Sequence, residues 1–408
     1  MVDHPRIFKA ADFTGILSVF EKYLNESNEI RDDFTLAEFS LPTALKIAQK
    51  TKSDVRKWHN EIGFAYFRLA EMETDEERNW LKIDNYVDAL EAFKLGGNTE
   101  MVNRVEQLYA ELKPKVKLND VQIMFDGEMV SAHKKFMEEN KKAVDDLLKW
   151  SPEEIYAYLA AGNFFPRSID VKNNSKPKDF FSSDFCNVIF FDKNKNITRG
   201  SDETFQESVF QTYSFHISYM TLPVIERIFV EGIRIGHLTS VNFLRFLKQK
   251  SWMGRPSRQV DLGGNQQEFD LLRLVAPAIY EYFNHIQAWT ISKSYMPNFV
   301  LCIDSLALKI EVIMRNFCER INVPTSTNKK KGMQEVLLHD IFNNDIVKKY
   351  YNENDRMLFD FLFSSHSYNL RNNVAHGYYL AEEYTHQKML LLLSALLRIA
   401  KLNYKTES

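Results

Sequence analysis

The sequence predicts a mainly α-helical protein: a helical stack at the N-terminus, a middle helical region with one β-hairpin, and a C-terminal helical bundle. Three observations predict it. Apolar residues recur at helical spacing through most of the chain. Start and stop signals for helices punctuate those runs. A single segment, Cys186-Asn187-Val188-Ile189-Phe190-Phe191, carries the β-branched and aromatic run of a strand. The 408 residues are 45% hydrophobic and 26% charged, enough for a substantial core and two or three domains. We divide the chain at 1–117, 118–264 and 265–408.

In the first region, Thr74 with Glu77 reads as a capping box opening a helix that ends at Gly96-Gly97. Tyr86, Ala89, Leu90 and Phe93 fall at helical spacing within it. This helix–Gly–helix unit is similar to one tetratricopeptide-like hairpin, but no second copy follows at a fixed period, so a repeat array is not expected.

In the middle region, Ser151-Pro152-Glu153-Glu154 is a helix start: a Ser cap, Pro in the first turn and a Glu that bonds back. Residues 162–184, rich in Pro, Asn, Ser and Lys, read as a loop. The strand at 186–191 then meets turn chemistry at Asp192-Lys193-Asn194-Lys195-Asn196, and Ile197-Thr198-Arg199 returns as its partner. This is the one hairpin the sequence predicts. Helices follow over Glu203–Ile235 and Ser240–Lys248, and a linker with Gly and Pro runs from Met253 to Gly263-Gly264.

The third region is expected to hold helices at 266–292, interrupted or kinked near Pro277, then 299–321, 334–350, 354–375 and 382–402. Thr325–Gly332, with Lys329-Lys330-Lys331, reads as a polar connection and a solvated loop. Helices of this length with short links suggest an antiparallel bundle.

Composition narrows function. The net charge is −3 and the pI about 6.4, so a nucleic-acid site is a local pocket and not the whole surface. Three cysteines, Cys186, Cys302 and Cys318, with no CxxC spacing argue against a disulfide framework or structural zinc. Met1-Val2-Asp3-His4-Pro5-Arg6 has no secretory pattern, and the apolar run Met389–Leu397 is too short to span a bilayer. The expected address is the cytoplasm, with no membrane association. No GxxxxGK[ST], GxSxG or HExxH motif occurs.

The segment that carries chemistry is Arg371-Asn372-Asn373-Val374-Ala375-His376-Gly377. An Arg and a His five apart arise by chance about 0.4 times in such a chain; requiring the Asn and the Gly lowers this to the order of 10⁻³. On a regular helix, positions five apart diverge by about 140°. Asn372 and His376, four apart, therefore share a face that Arg371 does not quite join. His366, His376 and His386 recur every ten residues and do not line one face, which argues against zinc.

This segment resembles the RNxxxHG signature of a domain grouped with the HEPN nucleases. Leu306–Arg315 resembles that family's helix with a Glu and an Arg four apart, here Glu311 and Arg315, and Met389–Ile399 looks like its closing apolar helix. The hairpin and the Arg56-Lys57-Trp58-His59 helix are similar to longer members of the group.

The resemblance implies a HEPN-like bundle acting as a metal-independent endoribonuclease with no cofactor. In it the ribose 2′-OH attacks its own 3′-phosphodiester. His376 would move protons, Arg371 would bind the phosphorane oxygens, and Asn372 would orient the His or the phosphate. Gly377 would end the helix in a left-handed conformation, with Glu311 and Arg315 in support. The implied partners are an RNA substrate, a second copy joined through the C-terminal bundle, and a regulatory partner or trigger at the N-terminal regions. The implied setting is a toxin or phage-defence system. The rival readings are an inactive helical interaction or scaffold protein and a nucleotide-binding regulator. In the first, Arg371 pairs with Glu311 to hold two helices together and His376 caps a helix end.

Overall fold

The computed structural model describes residues 9–13, 15–24, 32–117, 127–175, 190–191, 197–198, 201–260, 263–292, 294–329, 332–365 and 367–401. The protein is mainly helical, as the periodicity predicts. It forms two compact units: one of residues 1–124 with 189–198, the other of residues 125–188 with 199–408.

The first unit holds α1 (Ile16–Leu24), the three-residue α2 (Asp33–Thr35), a π-helical stretch Leu36–Ser40, α3 (Leu41–Thr51), α4 (Val55–Met72), α5 (Asn79–Gly96) and α6 (Thr99–Leu112). α5 begins at Asn79, not at Thr74. Asp75, not Thr74, accepts a backbone hydrogen bond from Glu77 and opens a 3-10 turn ahead of the helix. Its end is where the glycines place it, because Gly97 takes the left-handed conformation, φ +71°. Trp58 and Ile62 of α4 pack with α3 in one cluster, and Tyr86, Ala89 and Phe93 of α5 pack with Met101 and Val105 of α6 in another. The buried Asp33 receives a two-pronged bond from Arg68, with Nη2 at 2.7 Å, tying the short α2 to α4.

The second unit holds α7 (Gly127–Leu147), α8 (Pro152–Ala161), α9 (Ser168–Asn174), α10 (Ser201–His216), a π-helical turn Ile217–Thr221, α11 (Leu222–Arg234) and α12 (Ser240–Lys250). It continues with α13 (Leu272–Ile291), α14 (Val300–Arg320), α15 (Leu338–Asn343), α16 (Glu353–Phe363), α17 (Leu370–Ala375) and α18 (His386–Ala400). One buried cluster runs from Val144 to Ala400, so residues on both sides of position 264 share a core. The Ser151 capping box is present in both directions. α18 is buried on every side from Lys388 to Ala400, as its unbroken apolar run requires.

Several expectations are corrected. The loop expected over 162–184 contains α9, which buries Ser168 and Val171. Among the described residues three antiparallel strand pairs occur, not one. Strands β1 (Phe190–Phe191) and β2 (Ile197–Thr198) pair as expected, Phe191 opposite Ile197; the rest of the expected strands, with Cys186, lies outside the described residues. The linker after Met253 is a 3-10 turn, Trp252–Gly254, then β3 (Ser257–Val260), which pairs with β4 (Gln266–Phe269). The polar connection is β5 (Ser326–Lys329) paired with β6 (Gly332–Glu335); Lys330 and Lys331 lie outside the described residues.

The strands take the first residues of two expected helices, so α13 starts at Leu272 and α15 at Leu338. α13 stays continuous through Pro277, whose ring lies on the exposed face. The helix expected over 334–350 is α15 followed by a 3-10 turn, Val347–Lys349. The helix expected over 354–375 is two, α16 and α17, parted where Asn369 takes φ +43°.

Candidate functional site at α17

α17 is six residues long, and its geometry is set from both ends. Before it, Asn369 is left-handed. After it, Gly377 adopts φ +67°, so the Tyr378 N–H reaches back to the Asn373 carbonyl at 2.9 Å and the Gly377 N–H to Val374 at 3.2 Å. This is the glycine-terminated helix end the sequence implies, and it turns the chain away just past His376. The buried Asn373 amide donates to the Tyr368 carbonyl at 2.9 Å, and the Tyr379 hydroxyl donates to the same oxygen at 3.0 Å. Lys388 sits over the Tyr379 ring, 4.3 Å from its centroid, and donates to the Glu383 carbonyl at 2.6 Å. Burial pushes the Tyr379 phenol well above its ordinary range, although the Asn373 contact pulls the other way.

On the outer side, Arg371 donates from Nε to Glu311 of α14 at 2.7 Å and from Nη1 to the Asn372 amide oxygen at 3.0 Å. The other Glu311 oxygen accepts from Arg315 Nη2 at 2.6 Å and from its Nε at 3.2 Å. Arg315 also donates to Glu335 of β6 at 2.5 Å and to the Val336 carbonyl at 2.8 Å. Glu311 is therefore a carboxylate shared by two guanidinium forks, with its side chain 16% exposed against 34% for Arg371. Its negative charge is matched by two cations where it is largely buried, so the pair does not leave an uncompensated buried charge.

The structure thus joins four of the six expected site residues, Arg371, Asn372, Glu311 and Arg315, into one hydrogen-bonded chain. Gly377 serves the backbone. His376 stands apart from that chain. It is exposed at the end of α17 and stacks on Tyr378, with ring centroids 5.5 Å apart, and among the described residues its side chain has no hydrogen-bond or ionic partner. The Glu311–Arg315 pair expected at i,i+4 is present, and so is the Arg371–Glu311 bond of the scaffold reading. His386 lies elsewhere, stacked on Phe299 at 5.1 Å, and His366 is outside the described residues.

Sequence reading missed the bracing groups Tyr368, Tyr379 and Lys388, because no local pattern marks a carbonyl that serves two donors. It also missed Glu335, which reaches Arg315 only through the β5–β6 hairpin. Among the described residues no helix is long and apolar enough to cross a membrane, and no group of three or more His, Cys, Asp and Glu is placed to hold a metal ion. No family model, curated protein or solved structure matches this chain.

Proposed function

We propose that the chain is a HEPN-type endoribonuclease that cleaves RNA by 2′-OH attack without a metal, with Arg371, Asn372 and His376 as its catalytic residues. The observation that supports this most is an exposed histidine on the same short helix end as an arginine whose fork is already held. His376 is exposed to solvent, and a histidine is the side chain suited to the proton transfers that the nucleophile and the leaving oxygen each need. Arg371 is fixed through Nε and Nη1, and among the described residues its Nη2 has no partner. An arginine held in place this way meets a developing phosphorane charge without first reorganising. The test is total RNA incubated in EDTA, followed by end-group analysis. Cyclic phosphate or 3′-phosphate ends with 5′-hydroxyls are expected; strict magnesium dependence or 3′-hydroxyl ends would overturn the mechanism.

A second reading has its own observation. The Arg371–Glu311–Arg315 network ties α17 to α14, and that is what a scaffold protein that keeps the fold without the activity requires. The readings part at His376, which the network does not use. On the nuclease reading, the protein is a toxin or phage-defence effector of the cytoplasm. It works as a dimer through the C-terminal bundle, and its other regions bind a trigger or partner.

A further inference from the structure

A groove of about 330 Å³ lies between α12 and the start of α13, away from α17 in sequence. Its floor is apolar, with Leu244, Leu272 and Ala276, and its rim carries Arg245, Lys248 and Arg273. All three cations are exposed, and among the described residues none is in an ion pair or a side-chain hydrogen bond. Some other exposed cations of this unit are matched, Lys250 with Glu153, Arg234 with Glu231 and Lys149 with Asp146. The groove's one carboxylate, Asp270, is engaged, accepting from the Leu272 N–H at 2.9 Å. Arg245 and Lys248 are three apart on one helix, where like charges repel. The chain as a whole is acidic, at −3. Three exposed cations against one carboxylate leave the groove net positive on an acidic protein, and so a local attractor for oxyanions.

We propose that this groove binds the phosphodiester backbone of a single-stranded RNA, with phosphates on Arg245, Lys248 and Arg273 and a ribose or base face over the leucine floor. The phosphate chemistry follows from the three cations. The choice of an RNA strand rests on the nuclease reading of α17, and the groove's open shape suits an extended strand better than an enclosed nucleotide.

The test is fluorescence polarisation of a labelled twelve-nucleotide RNA on the full-length His376→Ala chain, so that binding is read without cleavage. It is repeated in a background carrying Arg245→Gln, Lys248→Gln and Arg273→Gln, with melting curves to show that the fold is kept. Loss of three contacts to a single strand lowers the slope of log affinity against log salt by about 2, or about a hundredfold in affinity at 0.1 M salt. Competition with AMP, inorganic phosphate and poly-glutamate identifies the source. Displacement by unlabelled RNA alone supports the strand. Displacement by AMP or phosphate at equal concentration overturns it in favour of a small-ligand site, and displacement by poly-glutamate overturns it in favour of an acidic peptide. Unchanged affinity and slope in the triple variant overturn the groove itself. None of these outcomes depends on whether α17 cleaves RNA, which the EDTA assay decides separately.

Discussion

At the scale of single residues, the two halves of the Arg371/His376 pair are held in opposite ways, and this makes them separable by mutation. Arg371 shares Glu311 with Arg315, so Arg371→Ala does not strand the carboxylate: the Arg315 bonds at 2.6 and 3.2 Å remain. The cost of removing one partner of a buried pair, about 3–5 kcal/mol, therefore does not apply in full. With Arg371 a third exposed, we expect about 1–2 kcal/mol, read by denaturant unfolding. His376→Ala removes an exposed ring and should leave the unfolding midpoint within about 0.5 kcal/mol of the parent while abolishing RNA cleavage. Cleavage that persists in His376→Ala would leave α17 as scaffold. Two other residues allow an independent check of burial. Cys302 and Cys318 are free and buried, and burial pushes their thiols up to about 12 and about 11. The thiolate is the reactive form. In a Cys186→Ser chain at pH 8, both should resist iodoacetamide until denaturant is added; prompt labelling of the native chain would contradict the packing of α14.

At the scale of elements, α17 is too short to hold itself, since an isolated helix of six residues pays nucleation without enough propagation. Its shape comes from Asn373 and Tyr379 converging on the Tyr368 carbonyl and from the left-handed Gly377. Nothing lies within 4 Å of the Cβ that Gly377→Ala would add, so the cost is backbone strain alone, about 1 kcal/mol. That variant should stay folded but cleave less, because the turn after His376 changes; full activity would show that the left-handed turn does not position the ring.

What the sequence reveals at this scale follows from where the information sits. Helix ends written in local chemistry, Ser151 with Glu154 and Gly97, were legible. The hairpins β3–β4 and β5–β6 were not. Gln266, Gln267 and Glu268 of β4 are exposed, as are Gly332, Met333, Gln334 and Glu335 of β6, so no apolar alternation marks them. The split between α16 and α17 was hidden because Asn369 is left-handed without being glycine. The bond from Arg371 to Glu311 spans sixty positions, and no pattern within one helix specifies it. It entered the reading only as an alternative use of two residues already singled out for other reasons.

At the scale of the whole molecule, the question is how many copies make one active site. Within one chain, the Arg371 fork has two of its nitrogens committed to Glu311 and Asn372, and His376 lies outside that hydrogen-bonded chain. A single copy thus offers one arginine corner and one histidine, whereas the proposed reaction needs a base at the 2′-hydroxyl, an acid at the leaving oxygen and a cation on the phosphorane. A two-fold axis near α17 would supply a second Arg/His set without any new residue. Exposed apolar side chains occur on both elements that carry the site. Leu308, one turn before Glu311 on α14, is 38% exposed, and Tyr378 and Leu380, just past His376, are 53% and 69% exposed. Where such side chains form one contiguous patch, they mark a contact site. We therefore expect two copies by mass measurement at the concentration where cleavage is assayed, and one copy for the Leu308→Glu, Leu380→Glu double variant. Both positions are exposed, so the double variant should keep its melting temperature while losing cleavage by at least about a hundredfold, the scale of one missing proton-transfer group. Equal specific activity in dilute monomer and concentrated protein would show that one α17 is sufficient, and a composite site would then have no role to explain.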